Sequence, residues 1–272
     1  WQMKKNISVE ELKMLQLKIL DSIDDFCKKN EIQYFLFSGT LIGAVRHKGY
    51  IPWDDDVDIC MKRKDYDRFF AEFNQQRQDT LKAISTETEK DYYLASGKVI
   101  DTATVIEEEN NYAMPIGVYV DVFPMDYLPA DDKKLKQLNH RIDIYRKMLV
   151  LKSVPVSDRR STVKNWVLKV SSFLLKPISM QHLISKIAKL ATSYNDDATC
   201  NRIADISVFT YGMKEVFPCE DFAEAVELEF EGKKYSAPKN YKHVLSNMYG
   251  DYMKLPPKEK QVSHHHFTAY WK

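Results

Sequence analysis

Apolar residues recur at helical spacing near the start of the chain: Leu12, Leu15, Ile19, Ile23 and Phe26 share one face, and Ser8-Val9-Glu10-Glu11 ahead of them has the spacing of a capping box. The period then shortens. Ile32 to Phe37 is a brief apolar and aromatic run that suits a buried strand ending at Ser38-Gly39, Thr40 to Arg46 reads as a short helix, and Gly49-Tyr50-Ile51-Pro52 breaks it. Asp56-Val57-Asp58-Ile59-Cys60-Met61 alternates polar and apolar, which predicts a strand with Asp56 and Asp58 on one face. A helix is expected over 65–76, then strands near 81–87, 97–100 and 104–108. A further strand is expected from Gly117 to Pro124, with Pro124 marking its end.

From Asp131 the helical period returns. Leu135, Leu138, Ile142, Tyr145 and Leu149 form a stripe, and two more helices are expected over 162–175 and 179–194. A hairpin of Val226–Phe230 and Lys234–Ala237 turning at Glu231-Gly232-Lys233 precedes a helix over 240–249. This order predicts an α/β (α+β) fold: a mixed sheet flanked by helices, with a helical insertion and a C-terminal closing segment. The expected division is a catalytic core with its N-terminal helix over 1–130, a helical region over 131–200 and a segment packing back on the core over 201–272.

Composition narrows the function classes. With 44% hydrophobic and 29% charged residues the chain is an ordinary globular protein rather than a disordered one. Lys plus Arg total 40 against 39 for Asp plus Glu, so no global field draws it to nucleic acid and any anion recognition must be local. Cys27, Cys60, Cys200 and Cys219 are too scattered for a zinc knuckle or a redox pair and read as reduced thiols. No apolar run approaches the ~20 residues a membrane span needs, and there is no signal-peptide core, so the expected location is cytoplasmic, at most at the inner face of the membrane. Trp1 is not a natural translation start, so residues upstream of it are expected.

The chemistry concentrates in Asp54, Asp55, Asp56 and Asp58, four acids in five positions behind a small Ser38-Gly39 turn and a basic Arg46-His47-Lys48 run. Acids packed so closely repel one another and resist burial unless cations neutralise them. Divalent-metal phosphoryl transfer needs carboxylates on one surface, and alternate strand positions supply them. Asp121, between Val120 and Val122 in another apolar strand, is a third acid that would be costly to bury alone. Small residues and a helix beginning just after Gly39 suit a phosphate.

The run from Ser38 through Gly49 into Pro52-Trp53-Asp54-Asp55-Asp56-Val57-Asp58 resembles the signature of the LicD family, which resembles the nucleotidyltransferase superfamily and includes fukutin-related domains. The likeness continues through Asp121-Val122-Phe123-Pro124-Met125-Asp126, Pro238-Lys239-Asn240-Tyr241 and Tyr249-Gly250-Asp251-Tyr252. The resemblance implies a nucleotidyltransferase-like fold. It also implies that Ser38, Gly39 and Thr40 hold the donor phosphates, that Asp56, Asp58 and Asp121 bind Mg²⁺ (Mn²⁺ as substitute), and that Asp121 activates the acceptor hydroxyl. The implied reaction is transfer of a phosphorylated alcohol, phosphocholine or a similar group, from a CDP-linked donor to a cell-surface glycan such as capsule, teichoic acid or lipopolysaccharide, or to its lipid-linked precursor. Two alternatives stay open: a true nucleotidyltransferase using an NTP, and a non-catalytic glycan-assembly subunit.

Other candidates follow from residue type. Arg46, Lys48 and Lys98 are cations suited to donor phosphate. Tyr50, Trp53 and Tyr112 are candidates for an aromatic cage around a quaternary ammonium. His264, His265 and His266 are adjacent and point in different directions, which disfavours a shared metal ion. Arg159 to Lys176 joins cations to an apolar stripe, the pattern of a helix resting on an anionic membrane surface.

Overall fold

The computed structural model describes residues 5–108, 114–154, 161–262 and 267–272. After β1 (Lys5–Asn6), Ser8 caps α1 (Val9–Lys29): its Oγ accepts from the Glu11 N–H at 3.1 Å, with Glu10 and Glu11 in the first turn and Lys28 and Lys29 in the last. That order of charge complements the helix dipole. β2 (Tyr34–Leu36) leads into α2 (Ser38–Arg46), and β3 (Asp58–Lys62) into α3 (Arg63–Glu72), which tightens into a 3₁₀ turn over Phe73–Gln76.

β4 (Leu81–Ile84) stops short of the expected Glu87 because the Ser85 N–H turns to Thr88 Oγ1 at 2.8 Å. β5 (Gly97–Asp101), β6 (Thr104–Glu108) and the long β7 (Tyr119–Leu128) follow. Three helices come next, α4 (Asp132–Ser153), α5 (Thr162–Leu174) and α6 (Met180–Ala191), and then the short strands β8 (Arg202–Ala204) and β9 (Phe217–Pro218). The chain ends with the hairpin β10 (Ala225–Phe230) and β11 (Lys233–Pro238), then α7 (Tyr241–Tyr249) and β12 (Phe267–Trp271).

The main sheet has the order β2-β3-β7-β5-β4, with β3 and β7 parallel and the other neighbours antiparallel. β7 is long enough to pair twice along one side, with β5 as far as Val122 and with β8 from Asp126. Pro124 therefore does not end the strand. The Asp121 N–H points to β3, bonding Val57 O at 2.9 Å, so alternation aims the nitrogen of Pro124 at the gap between β5 and β8, where no donor is needed.

α1 lays Leu12, Ile19, Leu20, Ile23 and Phe26 on the core, where Phe26 meets Phe69 and Phe73 edge-on at 5.7 and 5.1 Å. A second apolar cluster joins Leu135, Leu138 and Ile142 of α4 to Ile187 and Ala191 of α6 and to Ile206 and Phe209. The C-terminal segment does close on the domain: β12 lies between β1 and β6 as a separate three-stranded sheet. All four cysteines are free.

Candidate active site

The geometry starts where β2 becomes α2. Phe37 is extended and its N–H donates to Asp58 O at 3.0 Å; the chain then reverses through Ser38, whose φ of +48° lies in the left-handed region. A non-glycine residue held there stores strain, which the fold tolerates where the position matters. Ser38 Oγ is 3.1 Å from the Tyr249 hydroxyl of α7, and the Asp58 N–H donates to buried Thr40 Oγ1 at 2.8 Å. The positive end of α2 is thereby locked beside the start of β3.

Parallel pairing then sets Asp58 opposite Asp121, and the antiparallel neighbour β5 sets Lys98 opposite Asp121 on its other side. Lys98 Nζ is 2.5 Å from Asp121 Oδ1 and lies over the Tyr119 ring at 3.4 Å. Lys98 is buried, and its partner is a carboxylate rather than open solvent. Asp58 is also buried. Desolvation first, then the charges of Asp56, Asp121 and Asp54, push its carboxyl well above the usual range, with Lys98 opposing. This is a cluster short of positive charge.

Asp56 is not on the strand with Asp58. β3 begins only at Asp58, because its partner β2 has ended at Leu36 and the chain there has turned into α2. Asp54 N–H donates to Ile51 O at 2.8 Å in a turn, and among the described residues the acids whose carboxylate oxygens all approach within 4.8 Å are Asp54, Asp55 and Asp56. Gly39 leaves room for Asp54, since a Cβ would stand 2.6 Å from Asp54 Oδ2 and displace that carboxylate. An all-oxygen carboxylate set with unbalanced negative charge fits a hard divalent cation.

Ser38, Gly39, Asp54, Asp56, Asp58 and Asp121 line one cleft of about 640 Å³. Arg46 lies outside it, in an adjoining cleft that shares Trp53 and Tyr249. There its guanidinium donates to Tyr252 O at 2.7 Å and to His47 Nε2 at 2.8 Å. Burial pushes the Arg46 and His47 pKa values down. Lys48 is exposed and lines neither cleft; its carbonyl accepts from Glu231 N–H at 2.9 Å, tying α2 to the β10–β11 turn. Tyr50 belongs to the core, donating to Gln16 Oε1 at 3.0 Å and packing on Phe230, so the expected cage does not assemble around it. Tyr112, Arg159, Arg160, His264, His265 and His266 lie outside the described residues.

The far wall of the cleft is made by Asp205, Thr210, Tyr211 and Glu215, which sequence reasoning missed. Asp205 follows directly on β8, so its arrival depends on β8 pairing with β7, a contact for which no local spacing gives a signal. Tyr249 is marked in the sequence only by the Tyr249-Gly250-Asp251-Tyr252 run.

A family model described as the nucleotidyltransferase domain of LicD, FKTN and FKRP matches residues 31–156. The lipopolysaccharide cholinephosphotransferase LicD of Haemophilus influenzae is 33% identical over 275 residues, covering 98% of this chain and 99% of that protein. The chain belongs to the LicD family. It is accordingly an enzyme, a phosphotransferase of the LicD type. An uncharacterized protein of Rickettsia typhi is 30% identical over 149 residues, covering 52% of this chain and 45% of its own, and one of Rickettsia prowazekii is 29% identical over 129 residues, covering 46% and 44%. Residues 31–156 contain Ser38, Gly39, Asp54, Asp56, Asp58, Lys98 and Asp121, so the acidic half of the cleft lies inside the family domain and Asp205 to Tyr249 outside it.

Proposed function

We propose that this LicD-family enzyme transfers phosphocholine from a CDP-linked donor to a hydroxyl of lipopolysaccharide or of its lipid-linked precursor. It would do so with Mg²⁺, or Mn²⁺ in its place, held by Asp56, Asp58 and Asp121 beside Asp54. The observation that carries the reading is the register pair Asp58 and Asp121 at the mouth of α2, with Ser38 and Gly39 across the same cleft. The identity of the group follows the name of the Haemophilus relative.

Bound among these acids, the metal would supply positive charge to the donor pyrophosphate and the departing CMP. The protein's own part is positioning and proton transfer. The α2 N-terminus and the Ser38-Gly39 turn face the donor phosphates. Asp121 takes the proton from the acceptor hydroxyl as its oxygen bonds to the phosphorus that carries choline. The bond from that phosphorus to the bridging oxygen breaks, and CMP leaves with the electron pair. Thr40 holds the backbone of Asp58, and Lys98 fixes the orientation of the Asp121 carboxylate.

Incubation with CDP-choline labelled in its choline phosphate, and separately with labelled CTP, tests the reading. Label should pass from CDP-choline to lipopolysaccharide with release of CMP. Incorporation of CMP from CTP with release of pyrophosphate would instead establish nucleotidyl transfer.

A lipid-linked acceptor also requires the enzyme to approach a membrane. No helix of the described residues is long and apolar enough to cross one. α5, however, has no buried residue and exposes Val163, Trp166, Val167, Val170, Phe173 and Leu174 along one face. From Arg159 to Asn195 the sequence has no acidic residue, while it carries Arg159, Arg160, Lys164, Lys169, Lys176, Lys186 and Lys189. An apolar face on a stretch of sequence that carries cations and no acid suits the headgroup boundary of an anionic leaflet, and α5 is proposed to rest there.

A further inference from the structure

The far wall of the cleft holds an acid that the transfer chemistry does not use. Glu215 is 4% exposed, and its Oε2 is buried with no hydrogen-bond partner. Its neighbours leave the locality short of a cation. Asp205 is equally buried and accepts only a long bond, from the Val208 N–H to Oδ1 at 3.3 Å. Arg146 is the nearby cation. Its two terminal nitrogens are taken by Val208 O at 3.1 Å and Asn139 Oδ1 at 2.6 Å, and its Nε is unpaired, so it does not hydrogen-bond Glu215. The adjacent Arg63 is consumed by a two-pronged bond to Asp126, at 2.8 Å in each arm. Arg146 therefore answers both carboxyls by charge alone and shares that charge with Asp143, 3.9 Å away, while Asp205 and Glu215 both line the cleft.

An aromatic path joins this acid to the phosphate turn. Ser38 Oγ touches the Tyr249 hydroxyl at 3.1 Å, the Tyr249 ring meets the Tyr211 ring edge-on at 5.2 Å, and Tyr211 directly precedes the 3₁₀ turn Gly212–Glu215. Tyr211 is 43% exposed, which leaves a ring available to a ligand.

We propose that the Glu215, Asp205 and Tyr211 wall is the subsite for the quaternary ammonium end of the donor, and that it makes the enzyme select a cationic alcohol over a neutral polyol. The inference rests on the donor reading above and names the part of the site that would recognise the transferred group. A quaternary ammonium has no hydrogen to donate, so it is held by negative charge and ring faces rather than by hydrogen bonds, which is what a carboxylate with one unpaired oxygen beside a tyrosine offers. Its charge lies two carbons beyond the phosphate, and Ser38, Tyr211 and Glu215 line the same cleft. A neutral polyol can donate hydrogen bonds to the Glu215 oxygen but brings no charge to balance it.

Titration calorimetry with CDP-choline and with its uncharged isostere, the CDP ester of 3,3-dimethylbutanol, tests the subsite. The wild-type protein should bind CDP-choline about tenfold more tightly than the isostere, the scale of a desolvated cation on a ring. Glu215→Gln and Tyr211→Leu should each shrink that ratio to about twofold, with circular dichroism confirming that the variants are folded. A Glu215→Gln protein that keeps the tenfold preference overturns the subsite, as does a wild type that binds both compounds equally. A wild type that binds neither CDP ester overturns the donor reading and the subsite together.

Discussion

Glu215 gives a sharp test of the electrostatics, because Glu215→Gln removes one charge without changing the size of the side chain. Burial pushes the Glu215 carboxyl from an ordinary 4.5 up to about 7, with Tyr211 and Arg146 opposing. The folded chain thus holds this proton more tightly than the unfolded chain does. The wild-type protein therefore gains from Glu215 below about pH 4.5 and loses that stabilisation as pH rises toward 7, the reverse of a salt-bridged carboxylate. Each tenfold in proton affinity is worth ~1.4 kcal/mol, so the whole effect is about 3 kcal/mol, most of it developed between pH 5 and pH 8.

The amide cannot ionise, so the stability of Glu215→Gln relative to wild type should rise by about 2–3 kcal/mol between those two pH values. Any cost of placing an amide in that pocket is the same at both and cancels. Urea denaturation of the two proteins at pH 5 and pH 8, without donor, measures the difference. An equal stability difference at both values would refute the claim that a buried, uncompensated acid forms the far wall.

Other outcomes follow from the same geometry. Lys98→Met leaves Asp121 beside Asp58 without its cation and should lower stability by about 3 kcal/mol in EDTA, with part of the loss recovered in millimolar Mg²⁺; equal melting temperatures in both buffers would count against a metal at these acids. In Gly39→Ala the new methyl displaces Asp54, a mobile side-chain end, so melting should change by no more than a few degrees while kcat/KM falls about tenfold. Replacing Trp166 and Phe173 of α5 by serine should cut sedimentation with phosphatidylglycerol vesicles at least tenfold, on the scale of ~1.5–3 kcal/mol per large apolar side chain withdrawn from water. Unchanged sedimentation would remove α5 from the membrane account.

The helices α1, α4 and α6 were legible because each carried its own cap and stripe. Ser8, Asp131 and Ser179 accept from the N–H three residues on, where local sequence places the helix starts. Asp58 and Asp121 were legible because each sits in an apolar run with the alternation of a strand, where an acid needs an explanation. What failed depended on partners distant in sequence. Asp56 kept the alternating pattern but lost its strand when β2 ended, and Pro124 looked terminal until β5 and β8 were seen to leave its nitrogen facing a gap. The two-residue β1 that pairs with β12 has too few positions to show any period. Glu215 and Asp205 carry no motif, since the pairing of β8 with β7 brings them to the cleft.

The central claim is that the register pair Asp58 and Asp121 is the transfer centre. Its most direct measure is CMP release from CDP-choline with lipopolysaccharide acceptor and Mg²⁺, for wild type against Asp58→Asn and Asp121→Asn proteins of confirmed fold. The account predicts that both variants lose at least a hundredfold in kcat, the lower end of what a positioned proton acceptor contributes. Near-normal turnover by either one would contradict it.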